Sequence, residues 1–452
     1  MSSQPPPEYA DFFSEEDVMV VITTSTAGLG HKRVSSALGQ GLPHLVRQET
    51  LGADDHRMQF LHRVASLNRV LRWIIETFQN TPFLDGFFAL RYGRWLRKHS
   101  RDIKERLRDL IERRGQLPKV VLVVCTHFGL AHTLAEVKKS LSEELNTKIV
   151  VTVIVTDDSP QKIWAVYGAD HIFVPSPSTK NKLLEFFNEK KLEPIPEVVV
   201  NPYPVSLHLG QKLDKEEFKE KLAQVSSDKT PIRIMLPISG AAVQLSYLRK
   251  MVESLCVDSF AAVTIVTRES KNTGRFIEWA QDYPNIDVIA KTDDRDVVEE
   301  YEEEFLRKIY SLEVTKPSEQ AFKTLLAPEL RGGVIMLFSA PVGRQEDDNV
   351  RFMTRHGLLP NKEDAKVIKN ICDKKKQTIT PEFLKRASSW RGILLPREGK
   401  AAAGLVRCLQ RLGVFSAMMD FSGYGDHDEL TNDGVAQIWE YLEKRLSKLK
   451  DL

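Results

Sequence analysis

The chain has 452 residues, long for a single hydrophobic core, so two or three domains are expected. Hydrophobic residues at 42% and charged residues at 28% give a globular balance, too apolar for a disordered protein. A formal net charge of only +2 excludes the strongly basic character of a chain that binds nucleic acid as a whole, and no nucleic-acid partner is expected.

Residues 1–16 are acidic and proline-rich, with neither a basic nor an apolar region of the secretory kind, and read as a loose, disordered tail. No apolar run approaches the ~20 residues needed to span a bilayer. A cytoplasmic location is expected, with any membrane contact peripheral. The four cysteines, Cys125, Cys256, Cys372 and Cys408, show no Cys-x-x-Cys spacing. That pattern argues against a zinc ribbon and a disulfide framework, and fits a reducing compartment.

Short apolar runs rich in β-branched residues then alternate with amphipathic stretches. VMVVI (18–22), VVLVV (120–124), IVVTVIV (149–155), HIFV (171–174) and EVVV (197–200) form a first series of strands. IRIML (232–236), AAVTIVT (261–267), IDVIA (286–290) and GVIMLF (333–338) form a second. Continuous apolar strands separated by helices predict parallel sheets covered on both faces. The α/β expectation is therefore two Rossmann-like, doubly wound domains facing a cleft, over residues 17–212 and 232–380. The charged helix 213–231 links them, and residues 381–452 form an extension ending in the helical pattern VAQIWEYLEKRLSKL (435–449), expected to return over the cleft. Such sheets bind ligands at the carboxyl ends of their strands.

Residues 58–114 interrupt the alternation as a helical insertion. Between Arg91 and Arg114 stand ten Lys/Arg against four Asp/Glu, so the positive charge of the chain is concentrated here. With its aromatic residues, the stretch 87–114 reads equally as an element for an anionic membrane surface or as a solvated helix face. In the second case Asp102, Glu105, Asp109 and Glu112 supply intrahelical partners.

Three strand ends of the first domain carry candidate chemistry. Gly28-Leu29-Gly30-His31 follows the first strand and opens a helix; the glycines permit a tight turn and close approach of a ligand. His31 can serve there as a general base near neutral pH, though the turn by itself reads as structural. Asp157 and Asp158 follow the strand IVVTVIV, where they can orient a histidine or bind a hydroxyl, or form an Asx turn. His127 follows another strand, so topology predicts that His31, His127 and Asp157 converge on one sheet edge. In the second domain, Ser239, Gly240 and Ala241 are small enough to admit a phosphate to helix N-terminal amides. The strand GVIMLF leads into a polar cluster containing Arg344, Gln345, Glu346 and Asn349, able to grip sugar hydroxyls or simply to form a surface loop.

In this order the stretches resemble the glycosyltransferases that include monogalactosyldiacylglycerol synthase and the processive diacylglycerol glucosyltransferases, relatives of the peptidoglycan N-acetylglucosaminyltransferase. Residues 18–360 carry the resemblance, through Gly28-Leu29-Gly30-His31, Thr156-Asp157, Lys162-Ile163-Trp164, Asp170–Val174, Pro204-Val205, Thr315-Lys316-Pro317 and Gln345–Asn349. Departures lie on the donor side: Ser318 and Glu319 replace glycines, Thr324 stands near the position of a ribose-binding glutamate, and Ser239–Ala242 replaces a glycine pair.

The resemblance implies a GT-B arrangement, with the last helix returning over the cleft as in two-domain transferases of such architecture. It also implies an inverting, metal-independent transfer of a hexose from a nucleotide sugar, UDP-linked, to a lipid or lipid-linked hydroxyl. His31 would be the base, with Asp157 orienting it or standing in for it. Ser239, Gly240, Ala241 and Lys316 would hold the leaving diphosphate, and Gln345, Glu346 and Asn349 the sugar. Gly28, Gly30, His127 and Trp164 would line the acceptor side. No cofactor is implied beyond the sugar nucleotide as co-substrate. Alternatives are a non-catalytic binding protein of the same fold and a sugar-nucleotide epimerase or hydrolase.

Overall fold

A computed structural model describes residues 9–24, 29–42, 48–51, 82–226, 230–238, 242–374, 379–421 and 427–450. Gly28, Ser239, Gly240, Ala241 and the helical pattern 58–78 lie outside the described residues.

Six parallel strands build the first sheet: β1 (Val18–Thr23), β2 (Gln48–Leu51), β3 (Val120–Cys125), β4 (Lys148–Ile154), β5 (His171–Val174) and β6 (Glu197–Val200). Their order is β2-β1-β3-β4-β5-β6. Every residue of β1 and β3 is buried, as unbroken valine and isoleucine runs require when helices cover both faces. The second sheet holds β7 (Ile232–Pro237), β8 (Ala261–Arg268), β9 (Ile286–Lys291), β10 (Leu312–Thr315), β11 (Ile335–Phe338) and β12 (Gly392–Leu394). Its order is β12-β11-β10-β7-β8-β9, again parallel throughout. The α/β class with two Rossmann-like, doubly wound sheets is therefore present. Each sheet has its own apolar core.

The chain divides into two units, one of residues 1–207 with 431–452, the other of residues 208–430. The helix Lys215–Ser226, expected as a linker, belongs to the second unit, where buried Lys221 donates to the carbonyls of Pro328 (2.9 Å) and Leu330 (2.7 Å). Residues 381–430, expected as an extension, also belong there, with β12 pairing to β11. Only the end of the chain returns to the first unit. The helix Gly434–Lys450 starts against residue 202: a Cβ on Gly434 would stand 2.2 Å from the Pro202 carbonyl oxygen, so only glycine fits. Farther along, Trp439 is fully buried and donates from Nε1 to the Leu38 carbonyl at 3.0 Å.

Two further expectations are corrected. Residues 9–14 are not a loose tail but the helix Tyr9–Ser14, whose Phe13 packs edge-on against Trp439 at 5.1 Å. Aromatic burial holds this segment where composition alone suggested disorder. Cys372 and Cys408 form a disulfide, with Cα atoms 5.8 Å apart. The pair belongs to two helices that pack together, Lys362–Lys374 and Gly399–Arg411, a juxtaposition that the 36-residue separation conceals. This removes the cysteine argument for a reducing compartment. Cys125 and Cys256 are free. Among the described residues no helix is long and apolar enough to cross a membrane.

Candidate functional site

In the first sheet the chain runs from β1 outward to β2 and then returns to place β3 on the other side of β1. The carboxyl ends of β1 and β3 therefore flank a topological switch point, where doubly wound sheets open a crevice. His31 and His127 stand at its two sides.

His31 lies in the first turn of the helix Leu29–Gln40, half-buried, with Gly30 beside it. Its position is fixed from two strands. Thr126, just beyond β3, donates its hydroxyl to the His31 carbonyl at 3.1 Å, with the Thr23 carbonyl of β1 at the same distance. The His31 Nδ1 lies 3.4 Å from the hydroxyl of Thr156, which follows β4. Tyr203 donates to the Thr156 carbonyl at 3.1 Å and so steadies that loop.

His127 is fully buried and meets the His31 ring edge-on, centroids 4.9 Å apart. It caps the helix Phe128–Leu145, its Nδ1 accepting from the Gly129 amide at 3.2 Å. An accepting Nδ1 leaves the ring N–H on Nε2. Phe128 and Trp164 complete an aromatic wall: Phe128 stacks on His127 at 4.6 Å, and Trp164 lies 5.7 Å from Phe128 and 6.4 Å from His31. Trp164 is 3% exposed, so it backs the histidine.

The two histidines meet at the edge where His31, His127 and Asp157 were expected together, and the residue after β4 that reaches His31 is Thr156. Asp157, half-buried, immediately follows Thr156. Its neighbour Asp158 is buried, accepting from the Ser176 and Thr179 hydroxyls, the latter at 2.8 Å; it ties the loop to the next helix. Thr126, Phe128 and Tyr203 carry no motif, and only their positions just past strands mark them in the sequence.

In the second unit the order β12-β11-β10-β7-β8-β9 puts the switch point between β7 and β10. Lys316 follows β10 at that point, and residues 239–241 follow β7. The Lys316 Nζ pairs with Glu346 Oε1 at 2.5 Å, while Glu346 Oε2 accepts from the Val342 amide at 2.7 Å. Asn349, fully buried, donates to the Pro317 carbonyl at 3.2 Å. Glu346 and Asn349 lie one turn apart on the helix Arg344–Arg355, so both face the Lys316 loop. Gln345, in the first turn of the same helix, is exposed. Thr324 is fully buried, its hydroxyl 2.6 Å from the Ala321 carbonyl. Among the described residues no group of three or more His, Cys, Asp or Glu is arranged to hold a metal ion.

Fold and site together define an α/β chain of two doubly wound units, each with polar residues gathered at its switch point. No protein-family profile matches the chain, and no curated protein does. Among solved structures it is similar to the UDP-GlcNAc 2-epimerase of Neisseria meningitidis bound to UDP-GlcNAc. That match has 13% identity and a TM-score of 0.48, covering 94% of this chain and 100% of the other. It is also similar to MurG of Acinetobacter baumannii, at 10% identity and a TM-score of 0.42, covering 94% and 99%. A third match is S. aureus MnaA with UDP, at 10% identity and a TM-score of 0.49, covering 95% and 96%.

Proposed function

We propose that the chain is an inverting glycosyltransferase that moves a hexose from a nucleotide sugar, UDP-linked, to the hydroxyl of a lipid or lipid-linked acceptor. The observation that carries this reading is the half-exposed His31 at the first unit's switch point, held by Thr126 and Thr156 and backed by His127 and Trp164. The ordered motifs from Gly28 to Asn349 support it. His31 takes the proton of the acceptor hydroxyl as its oxygen bonds the anomeric carbon, and the bond from that carbon to the diphosphate breaks. Asp157 orients or replaces the base. The leaving diphosphate is met by Lys316 and by amides of residues 239–241, groups suited to developing negative charge. Gln345, Glu346 and Asn349 hold the sugar. The basic, aromatic stretch 87–114 brings the acceptor from an anionic membrane surface.

One observation favours a second reading, a non-catalytic binding protein. Lys316 and Glu346 are paired with each other, and Asn349 is spent on the Pro317 carbonyl. Donor binding must therefore exchange contacts already made.

Calorimetric titration with UDP and other nucleoside diphosphates, followed by sugar transfer to lipid extracts, tests both. Transfer that falls on the order of a hundredfold or more in His31→Gln, with nucleotide affinity unchanged, is the expected result. Absence of nucleotide binding by a folded sample leaves the non-catalytic reading. Nucleotide binding with sugar-nucleotide turnover but no lipid product gives an epimerase or hydrolase.

A further inference from the structure

Two helices of the second unit line one cavity with stripes of small and apolar residues. On Lys362–Lys374 the stripe is Ala365, Ile368 and Cys372; on Gly399–Arg411 it is Ala401, Gly404, Leu405 and Cys408. Both line a cavity of about 770 Å³, reached also by Leu359 and by Ile393 of the edge strand β12. Ala365, Ala401 and Gly404 put the least side chain into this space. A Cβ built on Gly404 meets no atom within 4 Å. The Cys372–Cys408 disulfide joins the two walls. Such a volume lies within the ~300–1,000 Å³ usual for small-molecule sites.

The lining is apolar, but its charged members are one-sided. Lys369, Arg397, Arg407 and Arg411 face a single acid, Asp373. Arg407 is already committed, donating to the carbonyls of Ser254 (3.0 Å) and Val257 (2.7 Å) and lying 4.1 Å over the Phe260 ring. Lys369, Arg397 and Arg411 are exposed and have no carboxylate partner among the described residues. An apolar slot with three uncommitted cations calls for a ligand with one apolar body and one anionic end.

We propose that this groove binds a single-chain fatty acid, its acyl tail against Ile368, Ile393 and Leu405 and its carboxylate against Lys369, Arg397 and Arg411. The site lies wholly in the second unit and does not depend on the glycosyl-transfer reading.

The test is calorimetric titration of the full chain with sodium decanoate, sodium laurate and dodecyltrimethylammonium, each below its micellar concentration. Laurate binds one per chain, about tenfold tighter than decanoate, as two further buried methylenes predict. The cation with the same tail binds far more weakly. Gly404→Phe, whose Cβ meets no atom within 4 Å, projects a ring into the groove and removes laurate binding while the melting temperature is held or raised, since glycine is a poor helix residue. Arg397→Glu with Arg411→Glu weakens laurate and strengthens the cationic probe. The proposal fails if folded wild type does not bind laurate, if Gly404→Phe binds it undiminished, or if the cation binds equally well. Sedimentation that shows a dimer abolished by Gly404→Phe would assign the groove to a second copy of the chain and overturn the fatty acid.

Discussion

His132 sits 3% exposed beneath Gly93, its Nε2 2.9 Å from the Ile163 carbonyl. Burial, and then the Arg97 guanidinium, pull its pKa down from 6.5 to about 4. Between these two values the unfolded chain binds a proton that the folded chain refuses. Stability should therefore be intact above about pH 6.5 and fall as the pH drops toward 4, by about 3 kcal/mol in full. Urea titrations at pH 7.5 and 5 measure this, and His132→Leu should flatten the difference. The sequence shows this histidine five residues after His127 but not its burial, which needs the helix Pro82–Lys98 laid across it. His31 and His127 were easier to find, since a parallel sheet puts the residues after β1 and β3 on one edge whatever surrounds them.

At the scale of elements, the helix Pro82–Lys98 packs one face inward and leaves aromatic and basic residues exposed on the other. Leu96 and Arg97 face inward, with Arg97 paired to Glu136 at 3.0 Å and stacked 3.6 Å from the Tyr167 ring centre. Phe87 and Trp95 remain 49% and 41% exposed among exposed Arg91, Arg94 and Lys98. In the following helix, Arg101–Glu112, the residues Ile103, Leu107 and Ile111 form the buried stripe, and Lys104 and Arg108 are drawn to Glu144. Co-sedimentation with phosphatidylserine vesicles should accordingly drop several-fold in Phe87→Ala/Trp95→Ala. Arg94→Glu/Lys98→Glu should lose about 1 kcal/mol or more of binding per site, most visibly at low salt. Binding unaffected by either pair would remove the membrane from the proposed function. Three strands escaped the sequence reading for separate reasons. β2 and β12 are only four and three residues long, and β10, LEVT, places fully buried Glu313 where an apolar residue was sought.

Glu313 is tolerated because Lys323 pairs with it and Tyr301 donates to it at 2.7 Å, all three buried in the second unit. On the scale of the whole molecule, each unit has a core of its own, with Trp439 fully buried in the first unit and this pair buried in the second. Two unfolding transitions are expected in a calorimetric scan. Trp439→Ala should cost about 3–5 kcal/mol and lower one of them. Lys323→Met leaves a buried carboxylate without its cation; it should lower the other by about 3–5 kcal/mol. If either substitution moves both transitions together, the units do not unfold independently. The expectation that the last helix returns came from the resemblance and not from its amphipathic pattern, which names a buried face and not the partner.

The sequence by itself determined the fold class. Two series of unbroken β-branched runs, each long enough to bury both faces, have no arrangement but parallel sheets covered by helices. It also determined which strand ends bear polar residues, because chain order and handedness place every such end on one edge. Tertiary structure alone decided which of those residues meet, and at what burial: His31 with Thr126, Thr156 and His127, Lys316 with Glu346, Cys372 with Cys408. These contacts join positions tens of residues or more apart through packing geometry, and no local pattern of residue types encodes a distance. The apolar groove with its basic rim was invisible for the same reason, since an empty space is a property of how helices pack rather than of any one helix.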